Sequence, residues 1–136
     1  AVSHPGAVPA ELLAFAAQAL RQAQDDPHVL ALLLGEYLTE PKASVWFDAG
    51  DAQEWTEGQG VVLDRRTRMM YDDRHVFING EGFRVTGQDG RLLRLLADQR
   101  QLSARASMGL SQGARQALVD WGSAGWLQIV KFDAAS

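Results

Sequence analysis

The three histidines are the first side chains to test for chemistry, because non-haem iron and catalytic zinc sites need histidine at fixed spacings. An iron site of the facial-triad type combines His-x-Asp/Glu with a distant histidine, but no histidine here is followed two residues later by a carboxylate. The three are His4, His28 and His75. The sequence also lacks HExxH, a glycine-rich phosphate loop and a Gly-x-Ser-x-Gly elbow, and its cysteine count of 0 excludes thiolate zinc sites and cysteine nucleophiles. Composition alone leaves a Ser-His-Asp triad open, but these missing motifs favour a chain with no catalytic residue, no cofactor-binding residue and no metal ligand.

One basic cluster offers a different kind of chemistry, contact with a phosphate or an acidic partner. Its members are Arg65, Arg66, Arg68 and Arg74. The alternative, which we favour modestly, is a solvated strand edge whose arginines pair with the neighbouring Asp64, Asp72 and Asp73.

Charge and composition exclude several classes of protein. The 136 residues carry 13 basic and 17 acidic side chains, for a net charge of -4 and a pI near 5.3, whereas nucleic-acid binders normally need positive potential. Apolar residues make up 46% and charged residues 22%, which is typical of one globular domain, or one with a helical appendage. The apolar run from Val29 to Leu34 is too short to span a bilayer, and no signal-peptide pattern is present. We expect a cytoplasmic protein with no membrane and no DNA partner.

The residues up to about Lys42 have helical spacing. One helix follows Pro9, and a second is expected to begin with Asp26 as N-cap and Pro27 in its first turn. In the second helix Leu30, Leu33, Leu34 and Tyr37 form one stripe that can face Leu12, Leu13, Ala16 and Leu20 of the first. Val29 and Leu32 fall outside that stripe, so we predict that a second copy covers them in a two-fold, four-helix arrangement. The predicted dimer interface is Val29, Leu32, Leu33 and Tyr37, and the rival explanation is packing on the C-terminal domain of the same chain.

The rest of the chain alternates between short strands and helices. Strands are predicted at Val45–Phe47, Val61–Leu63, Met69–Tyr71, Val76–Ile78 and around Phe83 and Val85, with turns at Asp72–Arg74 and Asn79-Gly80. Helices capped by Asp89 and Ser111 follow, and after a break at Gly122–Gly125 a strand closes the chain. This layout is typical of a winged helix-turn-helix. The predicted fold class is α+β, with an N-terminal helical hairpin over residues 1–42 and a winged-helix-like domain with small antiparallel β elements over residues 43–136.

The helix from Ser111 to Trp121 would be the DNA-reading helix of a winged-helix regulator. Its side away from the core offers one basic and one acidic residue, a poor set for a major groove. These polar positions are Gln112, Arg115, Gln116 and Asp120. The four tryptophans could form an aromatic ligand site, although Trp121 and Trp126 are expected in the core. For Trp55, which lies in an acidic loop, the alternative is a plug beneath that loop.

Five segments, taken in order, closely resemble the C-terminal part of the bacterial ribosomal oxygenases. They are Leu38-Thr39-Glu40-Pro41-Lys42, Leu63 to Tyr71, Phe77-Ile78-Asn79-Gly80-Glu81, Leu96-Ala97-Asp98 and Gly125-Trp126-Leu127. That family comprises cupin-like, JmjC-type hydroxylases that depend on 2-oxoglutarate and iron and act on a ribosomal protein. The resemblance spans roughly Val29 to Val130, and its specificity lies in the order and spacing of the segments.

The resemblance implies that this chain is the dimerisation region and the winged helix of such an oxygenase. The iron and 2-oxoglutarate ligands would then lie in an upstream catalytic domain, and no position here matches one of them. The implied function is a non-catalytic dimerisation and scaffold fragment, so that the chain itself is not an enzyme. Its implied partners are a second copy, its own catalytic domain and the parent's ribosomal protein substrate. The alternative is a winged-helix DNA-binding regulator.

Overall fold

A computed structural model describes residues 10–23, 26–42, 45, 47–49 and 54–131 of the chain. The chain divides into two compact units between Leu34 and Gly35. The predicted division between residues 42 and 43 stays a prediction. Each unit is described separately below.

The first unit contains helix α1 (Ala10–Ala23) and most of helix α2 (Pro27–Thr39). Asp26 caps α2 as predicted, because its Oδ1 accepts the backbone N–H of His28 at 2.9 Å. Pro27 occupies the first helical position, where its missing N–H leaves no hydrogen bond unmade.

Two of the three leucines of α1 do not pack as the sequence suggested. Leu13 is 58% exposed and Leu20 is 65% exposed, so neither is covered by the stripe expected to face it. The two lie seven residues apart and therefore share one side of the helix. This side of α1 is an apolar surface in contact with solvent.

The second unit is built around a winged-helix arrangement, as predicted. Its elements are β1 (Gln59–Leu63), β2 (Met69–Tyr71), β3 (His75–Ile78), β4 (Glu81–Arg84), α3 (Gly87–Gln99), β5 (Gln101–Leu102), α4 (Ala104–Ser107), α5 (Gln112–Ser123) and β6 (Leu127–Lys131). Helices α3, α4 and α5 pack with an antiparallel sheet of order β5-β1-β6. The core they enclose includes Val61, Leu96, Leu102, Leu118 and Trp121.

The central strand of this sheet comes from an unusual place in the chain. In an ordinary winged helix, the central strand is the last of three along the chain, and a hairpin called the wing connects it to the strand before it. Here the central strand is β1, which precedes α3 in the chain. It pairs with β6 in the register Val61↔Ile129 and with β5 in the register Val61↔Leu102. No wing hairpin therefore joins β6 to its neighbour β1.

A second antiparallel sheet of order β2-β3-β4 lies between β1 and α3 in the sequence. Asn79 and Gly80 form the predicted turn between β3 and β4, with φ angles of 46° and 92°. Two positive φ angles are the signature of a type I′ hairpin turn, which explains why Asn-Gly stands there.

The last turn of α2 docks on this hairpin. The hydroxyl of Thr39 donates to the carbonyl of Gly35 at 2.8 Å and accepts the N–H of Gly80 at 2.9 Å. A Cβ at Gly35 would lie 2.3 Å from the buried ring of Phe77, so only glycine permits this close approach. Two of the five resemblance segments thus meet at a structural junction.

Helix α5 ends in a Schellman motif at the predicted break. The N–H of Trp126 donates to the carbonyl of Trp121, and the N–H of Gly125 donates to that of Gly122. Gly125 has a φ of 85°, and a Cβ there would lie 2.2 Å from the carbonyl oxygen of Asp48.

Three local predictions were wrong. Val45 and Phe47 lie outside any strand, and Trp46 lies outside the described residues. Asp89 does not cap α3, because the N-cap of this helix is Thr86. The carboxylate of Asp89 instead accepts hydrogen bonds from the N–H and the hydroxyl of Ser111. Val85 follows β4 and is not part of it.

Candidate functional site

Helix α5 occupies the position of a DNA-reading helix, and one side of it is covered by the chain itself. The guanidinium of Arg115 lies over the ring of Trp55 at 4.9 Å from its centroid. The indole N–H of Trp55 donates to the carbonyl of Gln59 at 2.8 Å, which fixes the ring beside the start of β1. Trp55 also packs against the core, so its contacts are those of a structural side chain.

Two other polar side chains of α5 bond to each other. The amide of Gln116 donates to Oδ1 of Asp120 at 3.0 Å. An open cleft of about 390 Å³ lies between residues 54–56 and α5, and its charged and amide lining consists of Glu54, Gln112, Arg115 and Gln116. Arg115, which a tryptophan ring holds, is the only basic residue of α5, so this helix offers little positive charge to a phosphate backbone.

The four arginines of the basic cluster lie at two ends of one sheet. Arg65, Arg66 and Arg68 lie in the connection that leads into β2, whereas Arg74 lies in the turn after it. Among the described residues, no carboxylate lies within ion-pair distance of Arg65, Arg68 or Arg74.

Arg66 is paired locally. Its Nε and Nη2 donate to the carboxylate of Asp64 at 2.9 and 3.1 Å, and its guanidinium lies 5.3 Å from the centroid of the Phe47 ring. The carboxylate of Asp48 lies 4.0 Å from Nη2 of Arg66. The side-chain hydrogen bonds from Arg66 lower the pKa of Asp64, while those to Asp64 raise the pKa of Arg66.

Asp72 forms the turn between β2 and β3. Burial of its carboxylate opposes ionisation, but the backbone N–H groups of Arg74 and His75 donate to it at 2.8 and 2.7 Å, and the net effect is a lowered pKa. The acidic partners considered for the arginines therefore act differently: Asp64 binds an arginine side chain, whereas Asp72 binds backbone.

We expect the stability of the chain to fall in acid through these two aspartates. Their folded-state pKa values lie below the unfolded value of about 3.9, so the stabilisation is complete above that pH and is lost as the pH falls through the folded pKa. Urea unfolding at a series of pH values below about 5 measures the slope. Asp64→Asn should reduce that slope. Asp73→Asn is the matched control, because no hydrogen bond to the Asp73 carboxylate occurs in the described chain; an equal reduction there would contradict the assignment.

The predicted dimer residues all lie on α2 and all are half-buried. Val29, Leu32 and Leu33 belong to the first unit and Tyr37 to the second. In the first unit, Leu34 is also 40% exposed. Apolar surface therefore remains on α2 as well as on α1.

Metal-binding side chains do not cluster in the part of the chain that the structure describes. There, no group of three His, Asp or Glu residues could hold an ion. His75 lies with its Nδ1 3.4 Å from Asp72, and His28 is exposed on α2; His4 lies outside the described residues. Nor does any helix among these residues have the length and apolar character needed to cross a bilayer.

Sequence reasoning missed a second cleft, on another side of α5. It has a volume of about 350 Å³ and lies between α5 and β4, with the rings of Phe83, Trp121 and Trp126 and the carboxylates of Glu81 and Asp120 in its lining. Alternation along β4 places residues 81 and 83 on one face, and helical spacing does the same for residues 117, 120, 121 and 124. The sequence shows which side chains share a face on each element, but the contact between β4 and α5 depends on the tertiary structure.

Comparison with known proteins was carried out on sequence and on structure. Residues 19–128 match the sequence model of a family described as ROXA-like winged helix. No curated protein sequence matches the chain.

Solved structures of one protein share the fold. The X-ray structure of Escherichia coli YcfD matches with a TM-score of 0.66 and 14% identity, over 96% of this chain and 37% of that chain. A crystal structure of the E. coli ribosomal oxygenase YcfD gives 0.67 and 14% over 96% and 38%. YcfD in complex with cobalt and 2-oxoglutarate gives 0.64 and 14% over 95% and 38%. This chain thus spans little more than a third of the length of these structures, and at this identity the likeness is one of fold.

Proposed function

This chain belongs to the ROXA-like winged-helix family, and from that premise we propose that it is the dimerisation and scaffold region of a 2-oxoglutarate- and iron-dependent oxygenase that acts on a ribosomal protein. The observation that carries the proposal is the family match over residues 19–128. The fold shared with E. coli YcfD supports it, since 96% of this chain corresponds to 37% of that ribosomal oxygenase.

The proposed role is mechanical rather than catalytic. The residues that carry the family resemblance hold elements together: Thr39 binds Gly80, the hydroxyl of Thr67 donates to the carbonyl of Trp126 at 2.6 Å, and the amide oxygen of Asn79 accepts the N–H of Arg68 at 3.0 Å. Arg100 adds bonds of 2.8 Å to the carbonyls of Asp64 and Thr67. We place the iron and 2-oxoglutarate sites in a separate catalytic domain of the parent.

A second copy of the chain is the proposed partner of the helical unit. Exposed leucines on α1 and half-buried apolar side chains on α2 support this, because pairing two such units would remove them from water. The parent's catalytic domain and its ribosomal protein substrate are the other proposed partners.

The proposal is tested on two levels. The purified chain, supplied with Fe(II) and 2-oxoglutarate, should form no succinate above background. The reading frame upstream of Ala1 should encode a β-helix domain with a His-x-Asp motif, and the full-length product should form succinate when a ribosomal protein is added. Succinate from the chain alone, or a complete gene without such a domain, would overturn the proposal.

A DNA-binding regulator is the second candidate, because the winged-helix fold itself is common among such regulators. We expect no measurable binding of duplex DNA at physiological salt, given the net charge of -4 and the single basic residue on α5. A gel-shift assay with random-sequence and genomic duplexes measures this. Submicromolar binding that weakens steeply with added salt would instead favour the regulator.

A further inference from the structure

We propose that the cleft between α5 and β4 binds an arginine side chain from a basic segment of a partner protein. Phe83, Trp121 and Trp126 provide its aromatic lining, and Glu81 and Asp120 provide negative charge. The proposal goes beyond the scaffold role and does not depend on it.

The aromatic lining offers a surface for a cation. The rings of Phe83 and Trp121 pack against each other, with 5.6 Å between their centroids and 53° between their planes. Trp121 is only 5% exposed, so the accessible aromatic surface comes from the half-buried Phe83 and Trp126. Trp126 also makes an edge-to-face contact with Phe47, with 6.5 Å between the ring centroids. A guanidinium binds tryptophan faces by stacking and by cation–π attraction, which makes arginine a better occupant than an uncharged side chain.

The carboxylates decide the sign of the ligand charge. Glu81 and Asp120 are both exposed and both line the cleft. The carboxylate of Glu81 makes no hydrogen bond or ion pair within the described part of the chain, and that of Asp120 accepts one hydrogen bond, from Gln116. Carboxylates with free acceptor sites bind guanidinium in bidentate geometry and repel phosphate, so a nucleic acid does not fit here.

The chain itself shows what this cleft lacks. Elsewhere it stacks Arg115 on Trp55 and Arg66 on Phe47, and in the second case Asp64 binds the same arginine. The cleft repeats that combination of aromatic ring and carboxylate, but no arginine or lysine of the described chain occupies it. The missing component is a cation, and a partner protein can supply it.

The test uses the whole chain and a small probe. The probe is an acetylated and amidated pentapeptide with arginine at its second and fourth positions and glycine elsewhere; the neutral probe has citrulline in place of arginine. The readout is the indole N–H signals of the four tryptophans by NMR, assigned with single Trp→Phe variants. The signals of Trp121 and Trp126 should shift and saturate with the arginine peptide, while that of Trp55 stays in place.

Two double variants separate local from general charge effects. Glu81→Gln with Asp120→Asn should weaken the binding by about tenfold, because it removes both charged acceptors and keeps the shape of the cleft. Glu57→Gln with Asp73→Asn removes the same charge from exposed turns and should leave the affinity within about twofold, because solvent and salt screen distant charges. Unchanged circular dichroism and an unchanged Trp55 signal establish that both variants are folded.

Several outcomes would overturn the proposal. They are an arginine peptide that leaves Trp121 and Trp126 unshifted, a citrulline peptide that binds equally well, and cleft variants that bind like the wild type. Equal weakening by the control variant would reduce the effect to net charge. A short RNA that shifts the same two signals would show that the cleft takes another class of ligand.

Discussion

A chain carrying Gly125→Ala will unfold about 10 °C below the wild type, which corresponds to a loss of about 3 kcal/mol in the free energy of unfolding. Two effects add at this position. A side chain at a φ of 85° costs about 1–2 kcal/mol by itself. The new Cβ would also lie 2.2 Å from the carbonyl oxygen of Asp48 and 2.9 Å from its carbon, so the backbone there must move.

Gly58→Ala is the matched control. Gly58 has a nearly identical φ of 83°, but nothing lies within 4 Å of its hypothetical Cβ. It should therefore lose only the conformational contribution of about 1–2 kcal/mol. Thermal unfolding followed by circular dichroism measures both variants. If the two lose the same stability, the close approach of residue 48 to Gly125 has no energetic weight.

The second large effect is expected on assembly. Leu32→Glu should convert a dimeric chain into a monomer, because it places a charge in the proposed interface of α2. Fully burying one leucine contributes about 1.5–3 kcal/mol, so a few leucines per chain are enough for a dimer once the cost of association is met. Light scattering on the purified protein measures the mass, and circular dichroism reports whether the second unit stays folded.

Met108→Glu serves as the control for this variant. Met108 is 65% exposed and lies in the second unit, so a charge there should change neither mass nor stability. A wild-type chain that is monomeric at tens of micromolar would contradict the proposed dimer. A Leu32→Glu protein that unfolds would likewise contradict the assignment of this face to dimerisation. Leu13→Glu extends the test to α1. The sequence predicted that Leu13 packs inside the helical hairpin, whereas the structure leaves it exposed.

Local rules were sufficient wherever the stabilising partner is close in sequence. Asp26 before Pro27 and Asn79 before Gly80 each predicted a helix start or a turn, because the bond or backbone conformation involved spans only a few residues. Ser111 behaved in the same way and caps α5 through a bond to the N–H of Ala114.

The failures share a long-range cause. Asp89 has the residue type of an N-cap, but Ser111, 22 positions away, binds its carboxylate instead. The central place of β1 in its sheet could not be predicted, since pairing with β6 depends on tertiary packing. The cleft between α5 and β4 brings together Glu81 and Asp120, which no spacing rule relates. The basic cluster shows the opposite case, in which residues close in sequence are separated in the structure. Arg68 and Arg74 lie at opposite ends of β2.

The position of β1 has a consequence for the order of folding during synthesis. Val61 leaves the ribosome well before its two sheet partners, Leu102 and Ile129, which follow 41 and 68 residues later. The hydrophobic strand β1 lacks β5 until α3 has been made, and it lacks β6 until α4 and α5 have also been made, so the sheet closes only after β6 has emerged. Contacts of such long sequence separation slow folding and prolong the exposure of apolar surface. Meanwhile the β2-β3-β4 meander, whose contacts are local, can form immediately after β1 and give the nascent chain an early folded core.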